Sequence, residues 1–197
     1  MTTKLDDVCV MFRPAAAYQT LARLPQSAGR WSAARRPLFL AFLLGCTVSL
    51  VTSQRLTLRL VAGGTVNMSF VPLAEIAALA AVWRRNRVLS FSRAVDLFFM
   101  GHGPWILGCL GYSTVWAFAS PEHAFAWMLP RRIWWILSLA LVWSAYIDYC
   151  FFRRGLQRDR VGAGFDLLLQ RTISWTVGIV VFGGSAVPPE IVRILRL

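Results

Sequence analysis

Five long apolar blocks, separated by short arginine-rich stretches, decide what this chain can fold into. They span residues 37–53, 66–83, 95–118, 133–152 and 167–187. An α-helix rises about 1.5 Å per residue, so about 20 apolar residues cross a hydrocarbon core of about 30 Å. Each block is of that order. The spans of a β-barrel would be segments of about 10 residues alternating in polarity, and these blocks do not alternate. The expectation is an all-α fold, a polytopic transmembrane helical bundle of five spans. It divides into a basic N-terminal segment (1–36), a five-helix transmembrane domain (37–187) and a short tail (188–197).

Charge placement gives the bundle a direction and excludes one class of partner. Only 15% of residues are charged, against about 25% in a soluble domain, and the deficit lies in the blocks. The formal charge of +12 suggests nucleic acid only until the basic residues are located. They sit in loops beside the blocks, where they set topology or meet anionic lipid. No nucleic-acid partner is expected. The expected partners are the bilayer, anionic lipid at the basic inner face and another membrane protein. Alternate inter-block segments carry 14 and 6 Lys plus Arg. The positive-inside rule then places the N-terminus in the cytoplasm and the C-terminus outside.

Trp83, Trp105, Trp116, Trp127, Trp134, Trp135 and Tyr149 lie near block ends or loops, as interfacial aromatics do. Trp143 and Trp175 lie deeper and are expected between helices. The first block follows a polar, basic segment rather than a signal-peptide n-region, so it is expected to remain as an anchor. Arginine greatly outnumbers lysine and alanine is abundant, a bias common in high-GC bacterial genomes. That association points to a bacterial inner membrane.

Between Arg13 and Arg36, the residues Tyr18, Leu21, Leu24 and Trp31 can share one side of a short helix broken near Pro25. This reads as an interfacial helix on the inner leaflet, with a solvated tail as the other reading. Residues 54–64 read as a short amphipathic or extended external piece ended by Gly63 and Gly64. The third block carries Gly101, Gly103, Gly108 and Gly111 around Pro104. Proline kinks a helix and glycines let neighbouring helices approach, so this helix is expected at the bundle centre.

Ionisable residues at membrane depth are costly, and functional candidates by default. Glu75 lies nine residues before Arg84, and His102 nine after Arg93, so the two are level on neighbouring helices. Contact between them would lower the cost of burying the carboxylate, or let the pair share a proton. Asp148 lies five residues before Arg153, and Arg171 five after Asp166. Antiparallel fourth and fifth helices would pair them. Asp96 and Asp166 are expected to act at helix starts, where a carboxylate meets the positive end of the helix dipole.

Enzyme chemistry has no visible carrier. There is no Gly-x-Ser-x-Gly elbow and no His-Glu-x-x-His helix. Gly101-His102-Gly103-Pro104 lacks the Lys-Ser/Thr of a phosphate loop. The four cysteines, Cys9, Cys46, Cys109 and Cys150, form no Cys-x-x-Cys pair and read as free thiols, so neither a metal nor a cofactor is expected.

The five-span pattern, the cytoplasmic N-terminal segment and Gly111-Tyr112-Ser113 in the third span resemble the Yip1-like membrane family, including its bacterial members. The Asp-Leu-Tyr-Gly-Pro motif of eukaryotic members is absent, which argues against a Rab-linked role. The resemblance implies a membrane-organising or partner-binding protein without catalytic residues. A small transporter or proton-coupled carrier using Glu75 and His102 is the alternative.

Overall fold

The apolar blocks form helices, and two of them break where proline removes a backbone donor. A computed structural model describes residues 4–24, 30–85, 87–118 and 128–186. Two short helices, α1 (Lys4–Phe12) and α2 (Pro14–Leu21), precede the long α3 (Arg30–Ser53). Next come α4 (Leu58–Met68), α5 (Phe70–Trp83), α6 (Phe91–Met100) and α7 (Gly103–Phe118). Helix α8 (Met128–Cys150) runs into a π-helical turn (Phe151–Gly155), and α9 (Arg160–Ala186) follows. No strand occurs among the described residues. Three helical stretches, Ala33–Ser53, Leu58–Trp83 and Trp135–Gly155, are long and apolar enough to cross a membrane.

The second block breaks at Ser69. Pro72 has no N–H for the Met68 carbonyl, and the chain tightens locally, with the Ser69 N–H bonded to the Val66 carbonyl at 3.3 Å. The third block does more than kink. Pro104 cannot bond the Met100 carbonyl. The Gly101 and His102 amides turn instead to the carbonyls of Phe98 and Phe99, at 3.1 and 3.4 Å. Helix α7 then restarts with Ile106 N–H on the His102 carbonyl at 3.0 Å. The single kinked third helix expected from the sequence is therefore two helices, with His102 in the break.

Of the two readings of residues 54–64, amphipathic or extended, the extended one fails for residues 58–64, which are helical. Helix α4 runs through Gly63 and Gly64 and folds back on α3. The turn between them is held by Ser49, whose Oγ donates to the Arg55 carbonyl at 2.8 Å and accepts the Thr57 N–H at 3.0 Å. Gly45 and Gly64 are the crossing point. A Cβ on Gly64 would lie 3.1 Å from the Gly45 Cα, and one on Gly45 would lie 2.6 Å from the Val61 carbonyl oxygen. In the third block, a Cβ on Gly101 would meet Ile147, one on Gly103 would meet Met11, and one on Gly108 would meet Ala140. Gly111 faces open space, so it is not one of the packing glycines.

The N-terminal segment belongs to the core instead of lying apart on a leaflet. Val10, Tyr18 and Leu21 are buried, Tyr18 completely so. The Tyr18 hydroxyl donates to the Leu97 carbonyl at 3.3 Å, and its ring meets Phe151 edge-on at 5.5 Å. Phe98, Phe151, Phe152 and Ile147 complete this cluster. Leu24 and Trp31, assigned by periodicity to the same apolar side, are exposed. Trp143 packs as expected between elements, its indole N–H on the Met11 carbonyl at 3.0 Å.

Helix α3 packs on α4, α6 and α7; α7 packs on α8; α5 packs on α9. The outward faces are apolar: Phe39 and Phe42 on α3, Leu139 and Val142 on α8, Leu168 and Ile179 on α9 are all exposed. Such a surface is unfavourable in water, at about 25 cal/mol per Å², and carries no such penalty against lipid tails. Trp116, Trp127, Trp134, Arg131, Arg132 and the tail 188–197 lie outside the described side chains.

Candidate functional site

The helix break holds His102 in place, and its two ring nitrogens face different acceptors. Nδ1 lies 3.3 Å from the Phe98 carbonyl, and Nε2 lies 2.7 Å from Oε2 of Glu75 on α5. The ring stacks on Phe99 at 4.7 Å and meets Phe98 edge-on at 5.0 Å. A carbonyl only accepts, so Nδ1 carries a hydrogen. Nε2 then either accepts a proton from the Glu75 carboxylic acid or, as imidazolium, donates to its carboxylate. Either way a hydrogen bond spans that 2.7 Å contact, with both side chains buried.

The second pair joins α8 to α9. Arg171 donates to the Asp148 carboxylate and, at 2.7 Å, to the Ser144 hydroxyl. Ser144 and Asp148 are four residues apart, so α8 presents both on one face. A carboxylate as buried as Asp148 needs such a partner, because an unpaired charge is far too costly in a low-dielectric interior.

The structure thus brings the four ionisable candidates together as two pairs beside one cleft. The cleft, of about 340 Å³, lies between α5, α7, α8 and α9 and is lined by both Glu75 and Arg171. Its remaining walls are largely apolar and aromatic, with Phe70, Trp105, Leu141 and Trp175 among them. Arg171 leaves its buried Nε–H without a hydrogen-bond partner among the described residues. Buried donors are normally satisfied; the cleft's polar lining is Glu75, Arg171 and Ser174. Ser174, Trp175 and Gly178 follow Arg171 at helical spacing of three, four and seven residues and share its face. That stripe was readable in the sequence and points into the cleft. Trp175 is half exposed there rather than packed between helices, and Trp105 lies in the cleft wall rather than marking a block end.

Asp96 and Asp166 are not helix caps. Asp96 is the sixth residue of α6 and nearly fully buried, with Arg36 at 3.4 Å and Arg93 at 3.2 Å. Arg93 also donates to the Leu21 carbonyl at 3.1 Å, tying α2 to α6. Asp166 is fully buried in α9, with Arg158 at 2.6 Å and Arg85 at 3.6 Å. The helices begin earlier than the apolar blocks do, which moves both carboxylates from the expected ends into the interior, where arginines from neighbouring elements meet them.

No group of His, Cys, Asp and Glu side chains suited to a metal occurs among the described residues. In comparisons with family models, curated proteins and solved structures, the chain matches none.

Proposed function

We propose that this chain is a five-span bacterial inner-membrane protein, N-terminus in the cytoplasm and C-terminus outside. Its role in this reading is non-enzymatic: it binds an amphiphilic small molecule or lipid in the intramembrane cleft and serves membrane organisation or partner binding. The observation that carries this reading is a largely apolar, aromatic cleft with the side chains of Glu75, Arg171 and Ser174 as its polar lining. An apolar body lies against Trp105 and Trp175, and an acceptor oxygen of the headgroup meets Arg171. Pockets that bind small molecules combine these parts, mostly apolar walls and few polar anchors. The resemblance to Yip1-like proteins points the same way. The span count is supported by α9, which has 27 residues, and by α6 and α7 as two halves of one crossing. The direction rests on the arginine asymmetry.

Two experiments test this. Native mass spectrometry of the full chain released from nanodiscs identifies the retained amphiphile. A Cβ on Gly178, in the cleft wall, meets nothing within 4 Å, so a leucine side chain there starts from open space and Gly178→Leu is chosen to fill the cleft. The variant is expected to lose the amphiphile at unchanged melting temperature; equal retention would refute the site. For direction, single cysteines at Arg55 and Arg160 in a cysteine-free background are probed with an impermeant maleimide. Labelling from outside is expected at Arg55→Cys alone, and the reverse pattern inverts the topology.

A second reading, a proton-coupled carrier, is favoured by the hydrogen-bonded pair of Glu75 and His102 beside the same cleft. It requires Glu75→Gln to abolish pH-dependent flux in reconstituted vesicles.

A further inference from the structure

A second cavity, of about 310 Å³, lies against the core at the π-helical turn, and its chemistry is opposite to that of the cleft. Its polar lining is Gln19, Arg23, Arg153, Arg154, Gln157 and Arg158. Four arginines therefore converge on one small volume from three segments: the end of α2, the π turn and the loop after it.

The carboxylates among the described residues leave most of them unpaired. Among the described residues, Glu75, Asp96, Asp148 and Asp166 are all engaged in ion pairs. Asp159 accepts the Gly162 N–H at 3.1 Å. Only Arg158 of the four lining arginines has a carboxylate partner, Asp166. Arg23, Arg153 and Arg154 have none within ion-pair distance among the described residues. Three like charges held around one cavity repel one another, with no carboxylate among the described residues within ion-pair distance of them.

The walls that hold them are fixed. The π turn is anchored by Phe151 and Phe152, both fully buried, with Tyr18 of α2 against the Phe151 ring. The turn closes with the Leu156 N–H on the Phe151 carbonyl at 3.0 Å and the Arg158 N–H on the Phe152 carbonyl at 3.2 Å. Single π turns inside helices recur at functional sites. Gln157, next in the chain, has φ 55°, a conformation that glycine or asparagine adopts at lower cost. A glutamine stands there, and its amide lines the cavity.

We infer that this cavity is a binding site for a phosphate group, and specifically for the headgroup phosphate of an anionic lipid. Guanidinium forks match phosphate oxygens geometrically and form charge-assisted hydrogen bonds with them, and the two glutamine amides add neutral donors. The volume lies near the lower end of small-molecule sites, about 300–1,000 Å³, which fits a headgroup rather than a whole lipid. A lipid source follows from the flanks of the site. Arg153 and Arg154 stand at the end of Trp135–Gly155, a stretch long and apolar enough to cross a membrane, so acyl chains would lie along its exposed Leu139 and Val142 face while the phosphate enters the cavity. Assignment to the cytoplasmic leaflet rests on the orientation proposed above; the cavity and its charge do not.

The test uses the full chain in nanodiscs of phosphatidylcholine mixed with phosphatidylglycerol, read by native mass spectrometry. Wild type is expected to retain phosphatidylglycerol. Arg23→Gln with Arg154→Gln changes two exposed side chains and is expected to lower that retention about tenfold, with the melting temperature in pure phosphatidylcholine unchanged. Arg84→Gln with Arg87→Gln removes the same charge away from the cavity and is expected to leave retention intact. Equal loss in both pairs would mean diffuse surface attraction, and no loss in the first pair would mean no site; either overturns the inference. Free inorganic phosphate at millimolar concentration is expected to leave the lipid bound. Displacement of the lipid by phosphate, with thermal stabilisation by phosphate alone, would assign the cavity to a soluble phosphate and overturn the lipid source. The cysteine labelling at Arg55 and Arg160 reports separately on orientation, so an error of leaflet is distinguishable from an error of site.

Discussion

The apolar cleft and the basic cavity are nearly equal in size, at about 340 and 310 Å³, and handle charge in opposite ways. Around the cleft every ionised group has its partner: Glu75 meets His102, and Asp148 meets Arg171. Around the basic cavity, three of four arginines have no carboxylate among the described residues. The difference follows from dielectric. Far from water an unpaired charge is too costly to keep, so the fold pairs its charges and leaves a mostly apolar cleft beside them. Near the end of the bundle, solvent and ions screen repulsion, so the fold can hold a positive cluster until an anion arrives.

If that contrast is right, removing one member of the Asp148–Arg171 pair should have the largest effect on stability. Asp148→Ala leaves a guanidinium in the interior without its carboxylate, at about 3–5 kcal/mol, read as a fall in melting temperature in detergent. Asp148→Arg combined with Arg171→Asp should be better folded than either single change. If the double change is no better, the pairing does not account for the stability. Glu75→Gln comes next. The amide keeps a hydrogen bond to His102 and removes the transferable proton, so a loss of about 1 kcal/mol is expected. A loss as large as that of Asp148→Ala would mean that the carboxylate is held ionised for structure rather than sharing a proton. The smallest effect belongs to the basic cavity. Arg23→Gln with Arg154→Gln removes repulsion as well as charge, and stability should change by no more than about 0.5 kcal/mol. A larger destabilisation would show that these arginines hold the fold together.

The two pairs were legible from depth alone, because the rise of a helix is fixed and residues equally far from a basic boundary come level. Glu75, His102, Asp148 and Arg171 were each placed that way. The cleft beside them was not, since it depends on which faces of α5 and α9 meet, and hydropathy says little about the facing of helices apolar on all sides. The stripe of Arg171, Ser174, Trp175 and Gly178 was the available sign. Asp96 and Asp166 were misplaced because apolar blocks mark where side chains turn apolar, not where the backbone becomes helical. Helix α9 starts at Arg160 and α6 at Phe91, before the blocks do. The N-terminal helices were misread for a related reason: an apolar face such as that of Tyr18 and Leu21 suits a lipid surface or a protein core equally well. The prolines carried more than a kink. Pro72 and Pro104 each end a helix, and the second break is what positions His102.

The central claim is that the molecule has two ligand sites of opposite character, each set by how its own charges are matched. The most direct measurement is native mass spectrometry of wild type, Gly178→Leu and the Arg23→Gln/Arg154→Gln pair, all released from the same mixed nanodiscs. The account predicts a double dissociation. Gly178→Leu loses the cleft amphiphile and keeps phosphatidylglycerol, while the arginine pair keeps the amphiphile and loses phosphatidylglycerol. Loss of both ligands in either variant, or of neither, would contradict it.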